Sequence, residues 1–370
     1  MRPAGRTAPS GRREPPRTAP DRLRSGLSQG RRPLAEVARE VAPAQYGTSF
    51  ARWYERATVR RSPRRVLRDG AEHQVYFPPE LFPAAGHPLV VARGAGAVRS
   101  VLIHRLQQYL QFTVELEATA VVPVTSEIAR GRSGLALPEQ MQADAFKIAT
   151  DEAWHAQFSY DLIRQVTIET GVPAGTAQAP AFVARLAGIR AQLDSDLRGL
   201  DGLLFATVSE TLVSAILSDL PHDRRLPQAV RDTVADHAED EGRHHAYFRC
   251  LLGFLWSALG ADQRRRLGPQ VPRLVRAFLE PDYLATGRAL AAVSLGQGEI
   301  EQVLEEAYPE AAVSRAIAAA AGSTVRYFRE VGALDDPRTF EAFEAAGLLH
   351  GAGRPWTGPA GTGPRTEDAG

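Results

Sequence analysis

The chain has 370 residues, 44% hydrophobic and 24% charged, a composition suited to a globular protein with a large core. It holds no run of about eighteen or more apolar residues, so no transmembrane helix is expected, and its single cysteine, Cys250, excludes an intrachain disulfide and any thiolate cluster for zinc or iron–sulfur. The net charge of +1 hides an asymmetry: residues 1–33 carry nine arginines against Glu14 and Asp21, which leaves the remainder acidic.

In chain order, residues 1–33 are rich in Pro, Gly, Ser and Arg and read as a disordered basic tail, not as a nucleic-acid-binding arm. Lys147 is the only lysine, so the arginine excess reflects coding bias more than chemistry. Arg12-Arg13 is not followed by an apolar stretch, which argues against export and for a cytoplasmic protein. Residues 34–350 read as a single domain. From Pro33 to about Arg68 the pattern is helical, with Tyr46, Phe50, Trp53 and Tyr54 as packing residues. Pro78, Pro79, Pro83 and Pro88 make residues 75–88 extended or turning.

Four long helices are predicted next. The first runs from about Ala97 to Val122 and ends near Pro123. The second runs from about Pro138 to Thr170 and is stopped by Gly171 and Pro173. The third spans about Leu200 to Leu220, closed by Pro221. The fourth runs from about Pro227 to Leu259, followed by Gly260. Further helices fill 261–348, including an apolar stretch at Ala316–Ala321, and residues 351–370 form a second loose tail. There is no strand alternation of useful length, no internal repeat and no phosphate-binding glycine loop; Gly94-Ala95-Gly96 lacks both a preceding strand and a third glycine.

Two strings carry the chemistry. Glu152-Ala153-Trp154-His155 and His237-Ala238-Glu239-Asp240-Glu241-Gly242-Arg243-His244 each contain Glu-x-x-His within a predicted helix. Residues spaced i, i+3, i+4 and i+7 share a helix face, so Glu152 points with His155, and His237 with Glu241 and His244. Glu210 lies in the apolar run Val208–Val213, and Glu117 in a similarly apolar one, where unpaired carboxylates are rarely buried. Spacing leaves Glu115 and Glu117 as rivals on the first helix. One of these, with Glu152, His155, Glu210, His237, Glu241 and His244, makes four carboxylates and three imidazoles. Four carboxylates balance two ferrous ions, the inward ligand pattern of a ferritin-like di-iron four-helix bundle. This mixed ligation suits iron, with manganese also possible, better than zinc. His245, Asp236, Glu239 and Asp240 fall off the ligand stripe; the carboxylates among them, and Asp151, are solvated or are partners for imidazole N–H groups.

On these residues the chain resembles the p-aminobenzoate N-oxygenase family of ferritin-like, non-haem di-iron oxygenases. The order Glu, Glu-x-x-His, Glu, His-x-x-x-Glu-x-x-His is met by Glu117, Glu152 with His155, Glu210, and His237 with Glu241 and His244. The interval from the first glutamate to Glu152 favours Glu117 over Glu115. His237 sets this family apart from ordinary ferritin-like oxygenases and desaturases. Trp53–Arg60 and the Pro78–Val90 stretch are similar to the family's N-terminal region, and the resemblance covers roughly residues 46–348. It implies an all-α fold, a homodimer, two iron ions and O2-dependent oxidation of a primary, aromatic amine to hydroxylamine, nitroso or nitro products in bacterial natural-product biosynthesis. Electrons would come from a ferredoxin or flavin reductase, since the chain shows no nucleotide site. Tyr109, eight residues before Glu117, either lines the substrate pocket or packs in the core, and Arg315 and Arg326 either meet a substrate carboxylate or form exposed salt bridges. The alternatives are a di-iron hydroxylase or desaturase acting on carbon, a non-enzymatic ferritin-like metal-binding protein, and a helical adaptor with incidental glutamates.

Overall fold

The computed structural model describes residues 46–68, 75–175, 178–213 and 220–349. The tails expected at 1–33 and 351–370 lie outside this range, as do residues 214–219 in the expected third long helix. All regular structure among the described residues is helical. None of these helices is long and apolar enough to cross a membrane.

The described part of the N-terminal segment, residues 46–68, is less helical than its pattern predicts; residues 34–45 of the same expected stretch lie outside the described residues. It holds two single turns, α1 (Trp53–Arg56) and α2 (Thr58–Arg61), and then runs irregularly to residue 68. Pro63 explains the stop: the residue before proline is driven out of the helical region, and Ser62 has ψ 129°. Phe50 and Trp53 are buried as expected, but Tyr54 is 68% exposed. After two 3-10 turns at Pro79–Leu81 and Pro83–Gly86 come α3 (Pro88–Val91) and the long α4 (Ala95–Leu116).

The expected stop at Pro123 does not occur. Instead the helix widens into a π-turn at Glu117–Val121, in which the Val122 N–H reaches five residues back to the Glu117 carbonyl, and then continues as α5 (Val122–Ala129). Proline lacks the N–H an α-helix would need there; the wider turn brings the chain to Pro123 at the start of a fresh helical segment. Such single π-turns gather at functional sites, and Glu117 opens this one.

The helices α6 (Glu139–Thr170), α8 (Leu200–Leu212) and α9 (Gln228–Ala258) complete a ferritin-like bundle with α4–α5; the short α7 (Ala181–Ala191) precedes α8. α6 starts after Pro138 and ends at Gly171, whose φ of 67° is the left-handed closure glycine allows. α8 buries every residue from Leu200 to Leu212 except Gly202, so it is the central helix. Around the bundle, α4 packs on α6, α6 on α9, and α9 on α8, while the π-turn touches both α6 and α8. The C-terminal helices are α10 (Ala261–Leu267), α11 (Val271–Leu279), α12 (Tyr283–Ala292), α13 (Gln297–Ala307), α14 (Glu310–Glu330) and α15 (Pro337–Ala345). Of these, α11 and α14 pack on α8, and α12 packs on α4.

Residues 46–68 form a strap across α6 and α9. Tyr46 and Thr48 donate hydroxyl hydrogen bonds of 2.8 and 2.6 Å to Asp144, Ser49 donates to the Arg243 carbonyl, and Arg65 grips Asp236 with two bonds. Further along, the Leu67 N–H donates to Gln165. Asp144 is fully buried and also accepts from Gln140 and Lys147. Asp144→Ala leaves these donors without their acceptor, so a destabilisation of about 2–4 kcal/mol is expected. A thermal unfolding midpoint equal to that of the unsubstituted protein would contradict this role.

Candidate metal centre

The residues singled out by spacing converge inside the bundle. Glu117, Glu152, His155, Glu210, His237, Glu241 and His244 are each at most 3% exposed. Glu117 comes from the π-turn, Glu152 and His155 from α6, Glu210 from α8, and the last three from α9. Glu115 points away, is only half-buried, and accepts a hydrogen bond from Gln111.

Two overlapping groups emerge. Donor atoms of Glu152, His155, His237 and Glu241 all lie within 4.8 Å of one another, and so do those of Glu152, Glu210, Glu241 and His244. Glu152 and Glu241 belong to both groups. Glu117 adjoins the first group, its carboxylate 4.0 Å from His237 Nε2. Each group could hold a cation, and two cations held in this way would share Glu152 and Glu241.

The donor atoms face a common interior, and apart from His155 Nδ1, 2.7 Å from Glu152 Oε2, they pair poorly with one another. His244 Nδ1 is 2.8 Å from Glu152 Oε1, and His237 Nε2 is 3.0 Å from Glu241 Oε1. Neither pair has hydrogen-bond alignment, so His244 Nδ1, Glu152 Oε1 and His237 Nε2 are buried without a partner, as are one oxygen each of Glu117, Glu210 and Glu241. A buried polar atom left unsatisfied is costly. Six in one place, in oxygen and imidazole-nitrogen chemistry, fit a pair of transition-metal ions.

Electrostatics point the same way. Burial, reinforced by repulsion from the other carboxylates, raises Glu117 and Glu210 well above the ordinary carboxylate value. Burial also opposes the charged forms of Glu152 and Glu241, but His244 and the other imidazoles outweigh it and hold both low. His237 is depressed by burial and by the neighbouring charge of His155.

The backs of two of the three imidazoles, His155 and His244, are each held by an aspartate from the opposite helix. His155 Nε2 lies 3.2 Å from Asp240, and His244 Nε2 lies 3.3 Å from Asp151. With Nε2–H donating to these carboxylates, Nδ1 of each ring faces the centre, where it would offer its lone pair to a metal; in the metal-free cluster His155 Nδ1 lies 2.7 Å from Glu152 Oε2. The strap holds the aspartates in turn. The Trp53 indole N–H donates to both oxygens of Asp151 at 2.9 and 2.8 Å, and Thr58 donates to Asp240 from its hydroxyl and its backbone N–H. Of the other residues off the ligand stripe, Asp236 pairs with Arg65, Glu239 with Arg61 near the surface, and His245 with the Tyr327 hydroxyl at 2.9 Å. Spacing alone did not reveal the roles of Trp53 and Thr58. A signal for Asp151 and Asp240 was present in the repeated Asp-Glu-x-x-His, Asp151–His155 and Asp240–His244.

A cavity of about 770 Å3 leads to one side of the cluster. Glu117 and His237 are the cluster members that line it. Its walls come from α4, from residues 173–175 and 178–185, from the α11–α12 junction and from the first half of α14. Tyr109 lines it, with a buried hydroxyl that has no hydrogen-bond partner. Arg315 lines its exposed rim. Arg326 does not reach it. It shares a face of α14 with Arg315 but lies three turns farther on, past the end of the cavity, over the Tyr327 ring and 3.8 Å from Glu330.

A family model described as P-aminobenzoate N-oxygenase AurF matches residues 62–332, most of the chain. All seven clustered residues lie within that stretch, while Trp53 and Thr58 precede it.

The metal-free cluster has a pH signature. Burial disfavours the charged form of His155, but Glu152, Asp240 and Glu241 win and push it up from 6.5 to about 10. A group raised on folding stabilises most below its unfolded value, so this contribution is full below pH 6.5 and is lost as pH climbs through about 10. In histidine-labelled apoprotein followed by NMR, the His155 ring should stay protonated at pH 8. Titration near 6.5 would contradict the arrangement.

Proposed function

Because the chain belongs to the p-aminobenzoate N-oxygenase family, we propose that it is an O2-dependent di-iron N-oxygenase acting on a primary arylamine. The observation that carries the reading is the sharing of Glu152 and Glu241 between two four-residue donor groups. Glu117, His155 and His237 complete one metal position, and Glu210 and His244 complete the other. Four carboxylates against two divalent ions leave the buried site near neutrality. Iron is preferred to manganese because the chemistry is redox, although the donors accommodate both.

When bound, the two irons supply O2 activation and oxygen transfer to the amine nitrogen. The protein supplies position. The cavity meets the cluster at Glu117 and His237, so the amine is delivered on that side. Phe112, Leu116 and Phe182 make the approach apolar and keep water out. Asp151 and Asp240 fix the imidazole tautomers and ring planes. Each conversion of amine to hydroxylamine takes one oxygen atom from O2, and two electrons with two protons reduce the other atom to water. An external donor, a ferredoxin or flavin reductase, therefore belongs to the proposal. A homodimer and a place in natural-product biosynthesis rest on the family resemblance.

Two tests follow. Iron-loaded protein should hold about two metal ions per chain; Glu152→Ala should lose both positions, and His237→Ala should spare the Glu210–His244 position. Elemental analysis showing one ion or fewer in the unsubstituted protein would rule out the paired centre. Incubation of the reduced, loaded protein with O2 and a panel of arylamines should give hydroxylamine, nitroso or nitro products. Products oxidised only at carbon would instead support a hydroxylase on the same centre.

A further inference from the structure

The cavity contains a cation that the cluster does not use. Arg105 lines its wall on α4, with its guanidinium carbon 5.0 Å from the Phe77 ring centre and 5.6 Å from that of Phe82. Among the described residues no carboxylate forms an ion pair with Arg105. The acid closest in influence, Asp282, already accepts from the backbone N–H groups of Ala181 and Ala285. The other buried-side arginine of the cavity, Arg185, is committed to the Glu280 and Pro281 carbonyls. Burial pulls the Arg105 guanidinium below its ordinary value, with partial relief from Tyr308, Tyr109 and Asp282. An arginine with aromatic rings on one side and an unpaired fork toward a cavity is a ready anion site.

Its position sets the size of the ligand. Arg105 precedes Glu117 by twelve residues on one continuous helix. At a rise of about 1.5 Å per residue, their Cα atoms are ~18 Å apart along the axis, and both residues line the same cavity. A one-ring aminobenzoate spans less than half of that distance and would leave most of a 770 Å3 cavity unfilled. We propose that the substrate is an elongated arylamine whose far end carries an anionic group held by Arg105, while its amine meets the cluster at Glu117 and His237. This deepens the N-oxygenase reading and rests on it for the position of the amine.

The test measures binding by calorimetry on the full-length, metal-loaded protein, so it does not depend on turnover. The probes are p-aminobenzoate, anilines bearing para alkyl chains of increasing length that end in a carboxylate, and the matching terminal amides. Affinity should rise with chain length, and the longer carboxylates should exceed their amides by about tenfold to a hundredfold. Arg105→Met, which keeps the alkyl stem, should erase that preference with unchanged amide affinity. Arg105→Lys should retain part of it, and Arg315→Met should leave it intact. If Arg105→Met fails to fold, judged by circular dichroism and metal content, the acid–amide comparison in the unsubstituted protein and Arg105→Lys still decide the matter. The proposal is overturned if p-aminobenzoate binds as tightly as the longer carboxylates, if acid and amide bind alike, or if the preference follows Arg315. Failure here with N-oxidation of p-aminobenzoate intact would remove the elongated substrate and leave the proposed reaction standing.

Discussion

Four carboxylates buried in a helical core, within reach of three imidazoles, are the constraint to which the rest of this protein answers. Removing a carboxylate from water costs several kcal/mol even after relaxation, and neighbouring carboxylates repel one another. Against this, a fully buried Leu or Phe of the α8 core contributes only about 1.5–3 kcal/mol. The apolar core around Glu210 therefore does not by itself account for the cluster. Protonation relieves part of the strain, as the raised Glu117 and Glu210 show. Two divalent cations would offset it by neutralising the four carboxylates, and the six partnerless atoms around one interior are where they would bind.

Holding such a cluster open requires a rigid surround, and the chain builds it from outside inward. The strap fixes Asp151 through Trp53 and Asp240 through Thr58. Each aspartate then fixes a histidine on the opposite helix, so α6 and α9 are cross-braced in both directions. The π-turn has the complementary task on α4–α5, where it opens at Glu117 and lets the helix pass Pro123. The C-terminal helices close the substrate side, with α14 walling the cavity along its first half. The centre, its supports and its access thus come from separate parts of the chain.

Much of this was legible in the sequence because it is local. Pro138 and Gly171 bracket α6, and Pro227 precedes α9, within a residue of where the punctuation puts them. Helical periodicity placed Glu152 with His155 and His237 with Glu241 and His244, and an apolar setting marked Glu117 and Glu210. Pro123 misled because proline usually ends a helix; whether a π-turn absorbs it depends on packing against α6 and α8. The helical pattern before Arg68 misled because the segment is held by side-chain bonds to other helices, with little helix of its own. Arg105 was invisible for a related reason: a lone arginine on a helix means nothing until the fold shows that, among the described residues, no acid pairs with it. Of the two readings open for Arg326, the structure gives the exposed pairing with Glu330, because the sequence does not say where along α14 the cavity ends.

The most direct measurement is a crystal structure of the iron-loaded protein with anomalous scattering recorded at the iron edge. The account predicts two iron peaks with Glu152 and Glu241 between them, one completed by Glu117, His155 and His237 and the other by Glu210 and His244. A single peak, or iron bound away from these seven side chains, would contradict it.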